Sequence, residues 1–161
     1  MIKVKKSNGE TLSTRLVSNI ENKIGYMFPL LYRDLVINGN GGDCVVGDDY
    51  DLFKFSENTG YGPEEVYLSR IYRLWNVNFE DDVDAYTQHR NLTSAMMPYE
   101  LWPFAESING NVLLIDLGTV GNPIYMHISG LGRGWRDIPV AESLVIFNDA
   151  VYQGKYPPDY L

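Results

Sequence analysis

Cysteine is nearly missing from this chain: Cys44 is the only one among 161 residues. An internal disulfide bond is therefore excluded, and so is a zinc site built from cysteines. The chain has two histidines, His89 and His127, so a site with two imidazole ligands would need both. This cysteine usage fits a reducing compartment, and we expect a cytoplasmic protein.

Long apolar runs are missing as well. No segment approaches the roughly 18 consecutive apolar residues of a membrane span, and no apolar stretch follows the charged Met1–Lys6. Positive charge is scarce: 13 basic residues stand against 21 acidic ones, a net charge of -8. This charge repels phosphate backbones and anionic lipids, so we expect neither direct nucleic-acid binding nor membrane binding. It would speed docking onto a basic protein partner.

Apolar and aromatic residues are plentiful, at 45% and 13% of the chain. This composition argues against disorder, and 161 residues suit one domain with a sizeable core. We expect a single domain over residues 1–161, with its core at roughly residues 12–152. Residues 1–10 and 155–161 are expected to be the loosest parts.

The N-terminal pattern predicts two helices. Apolar residues recur every four positions in the first, which is typical of one buried stripe: Leu12, Leu16, Ile20 and Ile24. Gly25 suits the left-handed position after the last turn of this helix, and Pro29 suits the first turn of the next. The apolar face of the second helix would comprise Leu30, Leu31, Leu35 and Val36. A turn at residues 38–42, rich in Asn and Gly, then leads into a strand at 44–46.

The middle of the chain allows two interpretations. A strand at Val66–Leu68 followed by a helix that Ser69 caps is one of them, and it is the one we prefer. A single helix that starts at Pro63 is the other, because Glu64 and Glu65 suit a first turn. Residues 80–84 read as an acidic loop that enters a short helix.

The C-terminal half predicts clustered strands and a closing helix. Apolar runs bounded by turns predict strands at residues 52–55, 102–105, 112–117 and 124–128. Asn109-Gly110 lies between two of these runs and is a strong hairpin signal. The closing helix is marked by Val140, Leu144, Phe147 and Val151. Helices, then strands, then a helix indicate an α+β domain with a mostly antiparallel sheet.

Several of these segments together resemble the SMI1/KNR4 (SUKH) superfamily. The segment Ile20–Asp43 resembles the opening of the family, in which a helix that ends in Gly is followed by a helix that starts with Pro and by an Asn-Gly-Gly turn. Met97–Ala105 and Asn109–Leu117 are similar to the core hairpin of the family. Residues 123–127 are similar to the strand that follows it, and residues 139–151 to its terminal helix. Roughly residues 12–152 are covered.

The resemblance implies both a fold and a function. The fold is a single α+β domain with N-terminal helices, a mostly antiparallel sheet and a C-terminal helix. For most bacterial members the function is that of an immunity protein, which binds and neutralises a polymorphic or contact-delivered toxin, often a nuclease. Eukaryotic relatives regulate cell-wall synthesis, so a regulatory or scaffold protein with a cellular partner is the alternative. Neither function needs an active site, a metal or a cofactor.

Candidate partner contacts follow from charge and aromatic content. Two acidic groups suit a solvated surface or a basic partner better than a divalent cation or acid/base chemistry, because carboxylates packed in sequence usually diverge into solvent: Asp48, Asp49 and Asp51, and Glu80, Asp81, Asp82 and Asp84. Aromatic residues and arginine are favoured as interface anchors, which adds Tyr61, Trp135 and Arg136. Trp102 and His127 are expected to be structural, and His89 to lie on the surface.

Catalytic signals are weak throughout. Cys44 has no neighbouring base to activate it, so a small buried core residue is the expected role. Gly130, Gly132 and Gly134 lack the dinucleotide fingerprint and the Walker lysine, which favours a plain turn. An acid/base hydrolase that uses the acidic loops is a distant third hypothesis, because it needs a carboxylic acid with a raised pKa in a pocket.

Overall fold

The computed structural model describes residues 1–3, 6–7, 11–46, 49–55, 64–74 and 84–155. The helices in these ranges are α1 (Thr14–Ile24), α2 (Leu30–Gly39), α3 (Ala85–Ser94) and α4 (Leu144–Ala150). The strands are β1 (Lys6–Ser7), β2 (Gly42–Asp43), β3 (Val45–Val46), β4 (Asp49–Phe55), β5 (Glu64–Ile71), β6 (Leu101–Ser107), β7 (Val112–Asp116), β8 (Ile124–His127), β9 (Pro139–Ala141) and β10 (Tyr152–Lys155). Every helix in the described ranges is too short or too polar to cross a membrane.

The strands form one sheet in which each described pairing is antiparallel. Its main path runs β1-β2-β5-β6-β7-β8-β9, while β4 also pairs with β5, and β3 and β10 pair with β4. An antiparallel sheet combined with N-terminal helices and a C-terminal helix confirms the predicted α+β class.

Helix α1 ends where its sequence predicts, but it starts at Thr14, after Leu12 of the predicted stripe. Ser13 caps it, since its Oγ accepts a hydrogen bond from the Leu16 N–H at 3.2 Å. Gly25 ends it with a φ of 76°. Ile20 and Ile24 are buried, which confirms the second half of the apolar stripe.

Glu21 is the unexpected member of the buried face of α1. Only 3% of it is exposed, although it lies off the apolar stripe. Its carboxylate accepts hydrogen bonds from the Phe28 N–H at 2.8 Å and from the Arg33 guanidinium at 3.0 Å. This carboxylate therefore joins α1, the connecting turn and α2 in one arrangement.

Helix α2 starts directly after Pro29, as predicted, and its predicted apolar face is confirmed only in part. Leu30 was expected in the core and is 80% exposed, whereas Tyr32 and Val36 are fully buried. Tyr32 and Val36 lie four residues apart and so share one face of the helix, and the large Tyr32 ring decides which face that is. The predicted inward position of Leu30 is wrong.

The turn after α2 packs tightly against the end of β5. Asn40 is fully buried with a φ of 47°, and its Oδ1 accepts a hydrogen bond from the Leu74 N–H at 2.8 Å. Gly41 has a φ of +72°, and a Cβ there would lie 2.5 Å from the carbonyl oxygens of both Ile71 and Tyr72. Glycine is required here because the two backbones approach too closely for a side chain.

The middle of the chain is extended where a helix was preferred. The strand predicted at Val66–Leu68 is confirmed, but β5 continues through Ser69 to Ile71. Ile71 pairs with Gly42 of β2 and with Ala105 of β6, so partners on both sides hold this segment extended. The helix starting at Ser69 is therefore wrong, and so is the alternative helix from Pro63.

The closing helix is shorter than predicted. Val140 lies in β9, and α4 begins only after Ser143, whose Oγ accepts a hydrogen bond from the Ile146 N–H at 3.2 Å. Strand pairing of Tyr125 with Pro139 places this segment in the sheet. After α4 the chain adds β10 on β4, an element that the sequence pattern did not predict.

The helices meet the sheet around Trp102. This side chain is fully buried, and its indole N–H donates to the Tyr32 hydroxyl at 3.0 Å. Rings from three other parts of the chain complete the aromatic core: Phe28 lies 4.9 Å and His89 5.1 Å from Trp102, and Phe147 lies 5.9 Å from Phe104. The predicted core position of Trp102 is confirmed.

Candidate protein interface

Half of the residues predicted to contact a partner lie outside the described residues: Asp48, Tyr61, Glu80, Asp81 and Asp82. Asp49 opens β4, where its backbone pairs with Val46 and Lys155. Partner contact by these residues stays a prediction.

Two of the predicted acidic contacts are buried. Asp51 is 0% exposed, and its carboxylate accepts a hydrogen bond from the Lys3 N–H at 2.6 Å. Asp84 is 5% exposed and caps α3, because its Oδ1 accepts a hydrogen bond from the Thr87 N–H at 2.6 Å. Both carboxylates therefore accept structural hydrogen bonds inside the fold. Neither lies on the surface, contrary to the sequence-based expectation.

Trp135 lies in the loop between β8 and β9 and is half-buried. Its ring stacks on His127 with centroids 3.9 Å apart and an interplanar angle of 23°. Burial lowers the pKa of His127 below its ordinary value. The stack holds this loop against the sheet. One face of the Trp135 ring therefore contacts His127.

Arg136 is tied to two carboxylates. Its Nε donates to Asp116 at 2.9 Å, and its Nη2 donates to Glu100 at 2.6 Å. Asp116 is 1% exposed and also accepts hydrogen bonds from the Gly118 N–H and the Thr119 hydroxyl, each at 3.0 Å. The guanidinium lowers the pKa of Glu100, and both carboxylates raise the pKa of Arg136. Arg136 therefore joins the loop before β9 to the end of β7 and to the turn before β6.

His89 was expected on the surface, and this expectation is wrong. The residue is 3% exposed, lies on the face of α3 that meets the sheet, and has its ring 5.0 Å from that of Tyr99. Its Nε2 lies 2.7 Å from the Tyr99 carbonyl oxygen, a distance at which a neutral ring donates its N–H. Burial lowers the pKa of His89.

Acid should destabilise the protein through these two histidines. The pKa of both His89 and His127 is lowered in the folded state, so the unfolded chain binds more protons below about pH 6.5. The free energy of unfolding is therefore expected to fall as the pH drops through this window, as measured by urea denaturation. His89→Gln should reduce the pH dependence of the free energy of unfolding to the part that His127 contributes. An unchanged slope in this variant would contradict the assignment.

The loops after α1 and α3 both carry exposed apolar side chains. Met27 is 65%, Met96 86% and Tyr99 50% exposed, and Tyr26 is half-buried beside them. The rings of Tyr26 and Tyr99 lie 6.4 Å apart, which brings the two loops together. We call these four residues the two-loop patch. No local sequence pattern indicates this patch, because its two loops lie about 70 residues apart in the chain.

A model of the SMI1 / KNR4 family (SUKH-1) matches residues 11–149, which is most of the chain. The chain belongs to the SMI1/KNR4 family. This match confirms the resemblance drawn from the helices, the turn and the hairpin. Comparison with curated proteins and with solved structures found no match.

Members of the SMI1/KNR4 family include immunity proteins, are generally non-catalytic immunity or regulatory domains, and typically bind protein partners. In this SMI1/KNR4 domain the residues that carry the resemblance are structural: Gly25 ends α1, and Gly41 permits the close approach to β5. Recognition therefore has to be sought on the surface, away from these turns.

The described part of the SMI1/KNR4 domain offers little for catalysis. Cys44 is fully buried, as predicted, and no three Cys, His, Asp or Glu side chains within these ranges are grouped as a metal site would require. Arg136 brings Glu100 and Asp116 together, but it lowers the pKa of Glu100, whereas a general acid needs a raised one. This carboxylate pair therefore gives no support to the hydrolase hypothesis.

Negative charge is concentrated in one part of this SMI1/KNR4 domain. Residues 43–84 include eleven acidic and three basic residues, so they carry a net charge of -8, while the rest of the chain has ten of each. We call residues 43–84 the acidic segment. It contains β4 and β5, and all seven of the predicted acidic contacts belong to it.

Proposed function

We propose that this protein is a cytoplasmic immunity protein that binds and neutralises a toxin domain without chemistry of its own. Membership of the SMI1/KNR4 family supports this class of function. The observation that carries the proposal is the concentration of the whole net charge of -8 in the acidic segment. A charge gathered on one segment orients an approaching partner, which an even distribution cannot do.

A nuclease toxin is the kind of partner that fits this charge. Nucleases bind phosphate backbones, and basic side chains supply most of that affinity. The acidic segment would attract the same basic surface and cover it, so inhibition would be steric and electrostatic. A complex of standard size buries about 800 Å² on each partner, enough to occlude a substrate cleft.

Co-expression with the toxin domain encoded directly upstream in the source genome tests the function. We expect the domain to arrest growth when expressed alone, and growth to recover when this protein is present. Light scattering of the purified pair, with an inactive toxin variant, should show a 1:1 complex. No recovery and no complex would refute the proposal and favour a regulatory protein with a cellular partner.

Charge reversal in the acidic segment should slow association. We expect the triple variant E80K/D81K/D82K to bind the inactive toxin domain about tenfold more slowly at low salt, with a flatter salt dependence. Stopped-flow fluorescence measures the rate. Asp84 is left unchanged because it caps α3, and its loss would disturb folding.

A matched variant separates the position of the charge from its amount. D34K/E142K/D149K makes the same change in net charge at exposed acidic residues outside the acidic segment. When the two triple variants are compared at about 0.1 M salt, we expect this one to slow association by only about twofold, because the screening length is then about 10 Å and distant charges contribute little. Equal slowing by the two triple variants would show that the acidic segment has no special role.

A further inference from the structure

Met96 has a backbone conformation that methionine rarely adopts. Its φ is 73°, and the other non-glycine residues with positive φ in the described ranges are asparagines, Asn40 and Asn122. Asparagine tolerates this conformation because its short polar side chain can form local hydrogen bonds. Asn122 donates such a bond to the Asp116 carbonyl, and the Asn40 side chain accepts one from the distant Leu74 N–H, whereas the apolar side chain of Met96 can form neither.

The conformation arises from the way α3 ends. The Met97 N–H donates to the Leu92 carbonyl at 2.9 Å, and the Met96 N–H donates to the Thr93 carbonyl at 3.1 Å. This is the Schellman arrangement, in which glycine is the usual residue at the position of Met96. Met97 is buried, so it anchors the chain after the turn.

Folding alone does not account for methionine at this position. The side chain of Met96 is 86% exposed and gains almost no burial to offset the backbone strain. Glycine would relieve the strain and lose no packing. Strained conformations of this kind cluster at functional sites, where the side chain has a use that outweighs its cost in stability.

The exposed residues of the same loop and of the loop after α1 indicate what kind of contact Met96 could make. Tyr26, Met27 and Tyr99 complete the two-loop patch, and tyrosine and methionine are both enriched at protein interfaces. His89 fixes the position of Tyr99, because it packs against the Tyr99 ring and is hydrogen-bonded to the Tyr99 carbonyl oxygen. The patch thus combines a fixed aromatic residue with flexible methionines that adapt to a partner's shape.

We propose that the two-loop patch is the apolar anchor for the toxin domain, a basic folded protein with apolar side chains at its contact surface. This inference rests on the proposed function and adds a second contact region to it. The net charge of -8 favours a basic partner and disfavours a second copy of this chain, because two copies would repel each other.

One partner can reach both contact regions. The acidic segment ends at Asp84, which caps the start of α3, and Met96 lies just beyond the end of the same helix. Ten helical residues span about 15 Å, whereas an interface of about 800 Å² per partner is nearly twice as wide. The acidic segment would guide the approach, and the two-loop patch would slow dissociation.

Met96→Gly separates binding from folding. We expect this variant to melt about 2–4 °C above the wild type, because strain is relieved, and to bind the inactive toxin domain at least about fivefold more weakly. Met96→Ala keeps the strain and should weaken binding without raising the melting temperature. Met27→Ala, at an exposed and unstrained position, should weaken binding likewise. Calorimetry and biolayer interferometry measure the two effects.

Val145→Ala is the matched control, because Val145 is 57% exposed on α4 and outside the patch. It should bind as the wild type does. If the wild type binds but the three patch variants bind equally well, the anchor is refuted and the proposed function stands. If the wild type does not bind, the proposed function itself fails. A dimer that Met96→Gly dissociates, seen by light scattering, would assign the patch to a second copy and overturn the proposal.

Discussion

Replacement of Gly41 by alanine is expected to lower the free energy of unfolding by at least about 4 kcal/mol. A Cβ at this position would lie 2.5 Å from the carbonyl oxygens of Ile71 and Tyr72 and 2.8 Å from the carbonyl carbon of Tyr72. These atoms are backbone at the end of β5, between β2 and β6, so they cannot move without disturbing the sheet. Urea denaturation followed by circular dichroism measures the loss.

Gly25→Ala is the matched control for this prediction. Gly25 has nearly the same φ, +76° against +72° at Gly41, but no atom lies within 4 Å of the Cβ that alanine would add. Only the left-handed conformation is penalised there, so we expect a loss of about 1 kcal/mol. Equal losses in the two variants would show that crowding against β5 is unimportant.

Trp102→Ala should have an effect of similar size, about 4–5 kcal/mol. The indole is fully buried in contact with Phe28 and His89, so its removal leaves a large cavity beneath α2 and α3. A domain of this size has a total stability of only about 5–15 kcal/mol, so the substitution would remove roughly a third or more of it. The midpoint of urea denaturation reports the change.

The hydrogen bond from Trp102 to Tyr32 can be measured separately. Burial raises the pKa of the Tyr32 phenol far above its usual range, so its hydroxyl stays neutral and remains the partner of the indole N–H. Tyr32→Phe leaves that buried N–H without its partner and should cost about 1–3 kcal/mol. In the Trp102→Phe background the same change should cost less, by about 1 kcal/mol. Identical costs in both backgrounds would rule out a stabilising bond.

Local signals predicted the elements whose ends are marked by the chain itself. Helix α1 ends at the left-handed Gly25, and the β6–β7 hairpin turns at Asn109-Gly110, both as predicted. Caps and turns act over three or four residues, so they can be read from a single sequence. Even the Asn/Gly turn after α2 was found, although the sequence could not reveal that β5 is what makes Gly41 necessary.

Errors arose where distant partners decide the conformation. Ser69 can cap a helix, but pairing of Ile71 with two neighbouring strands makes this segment part of β5. Val140 fits the spacing of the closing helix, yet it belongs to β9. Strand pairing stabilises residues far apart in the chain, and single-sequence patterns carry little information about it.

For the candidate partner contacts, the sequence supplied the residue types but not whether each side chain is exposed. Asp51 and Asp84 were predicted to lie on the surface, but both are buried. Their carboxylates accept hydrogen bonds from the Lys3 N–H and from the first turn of α3. Arg136 read as an exposed anchor, whereas Asp116, twenty residues earlier, accepts a hydrogen bond from it. Burial of a charged group depends on its partner, and that partner is brought close only by the tertiary fold.

By itself, the sequence determined the family, the α+β class and the concentration of charge in the acidic segment. Composition, turn chemistry and hydrophobic period are local or summed properties, so they need no coordinates. Only the tertiary structure decided which carboxylates are buried, that the His89 ring packs against Tyr99, and that the Tyr26–Tyr99 contact brings together the two loops that carry Met27 and Met96. These features depend on contacts between segments far apart in the chain, and such contacts exist only when the sheet and helices have packed.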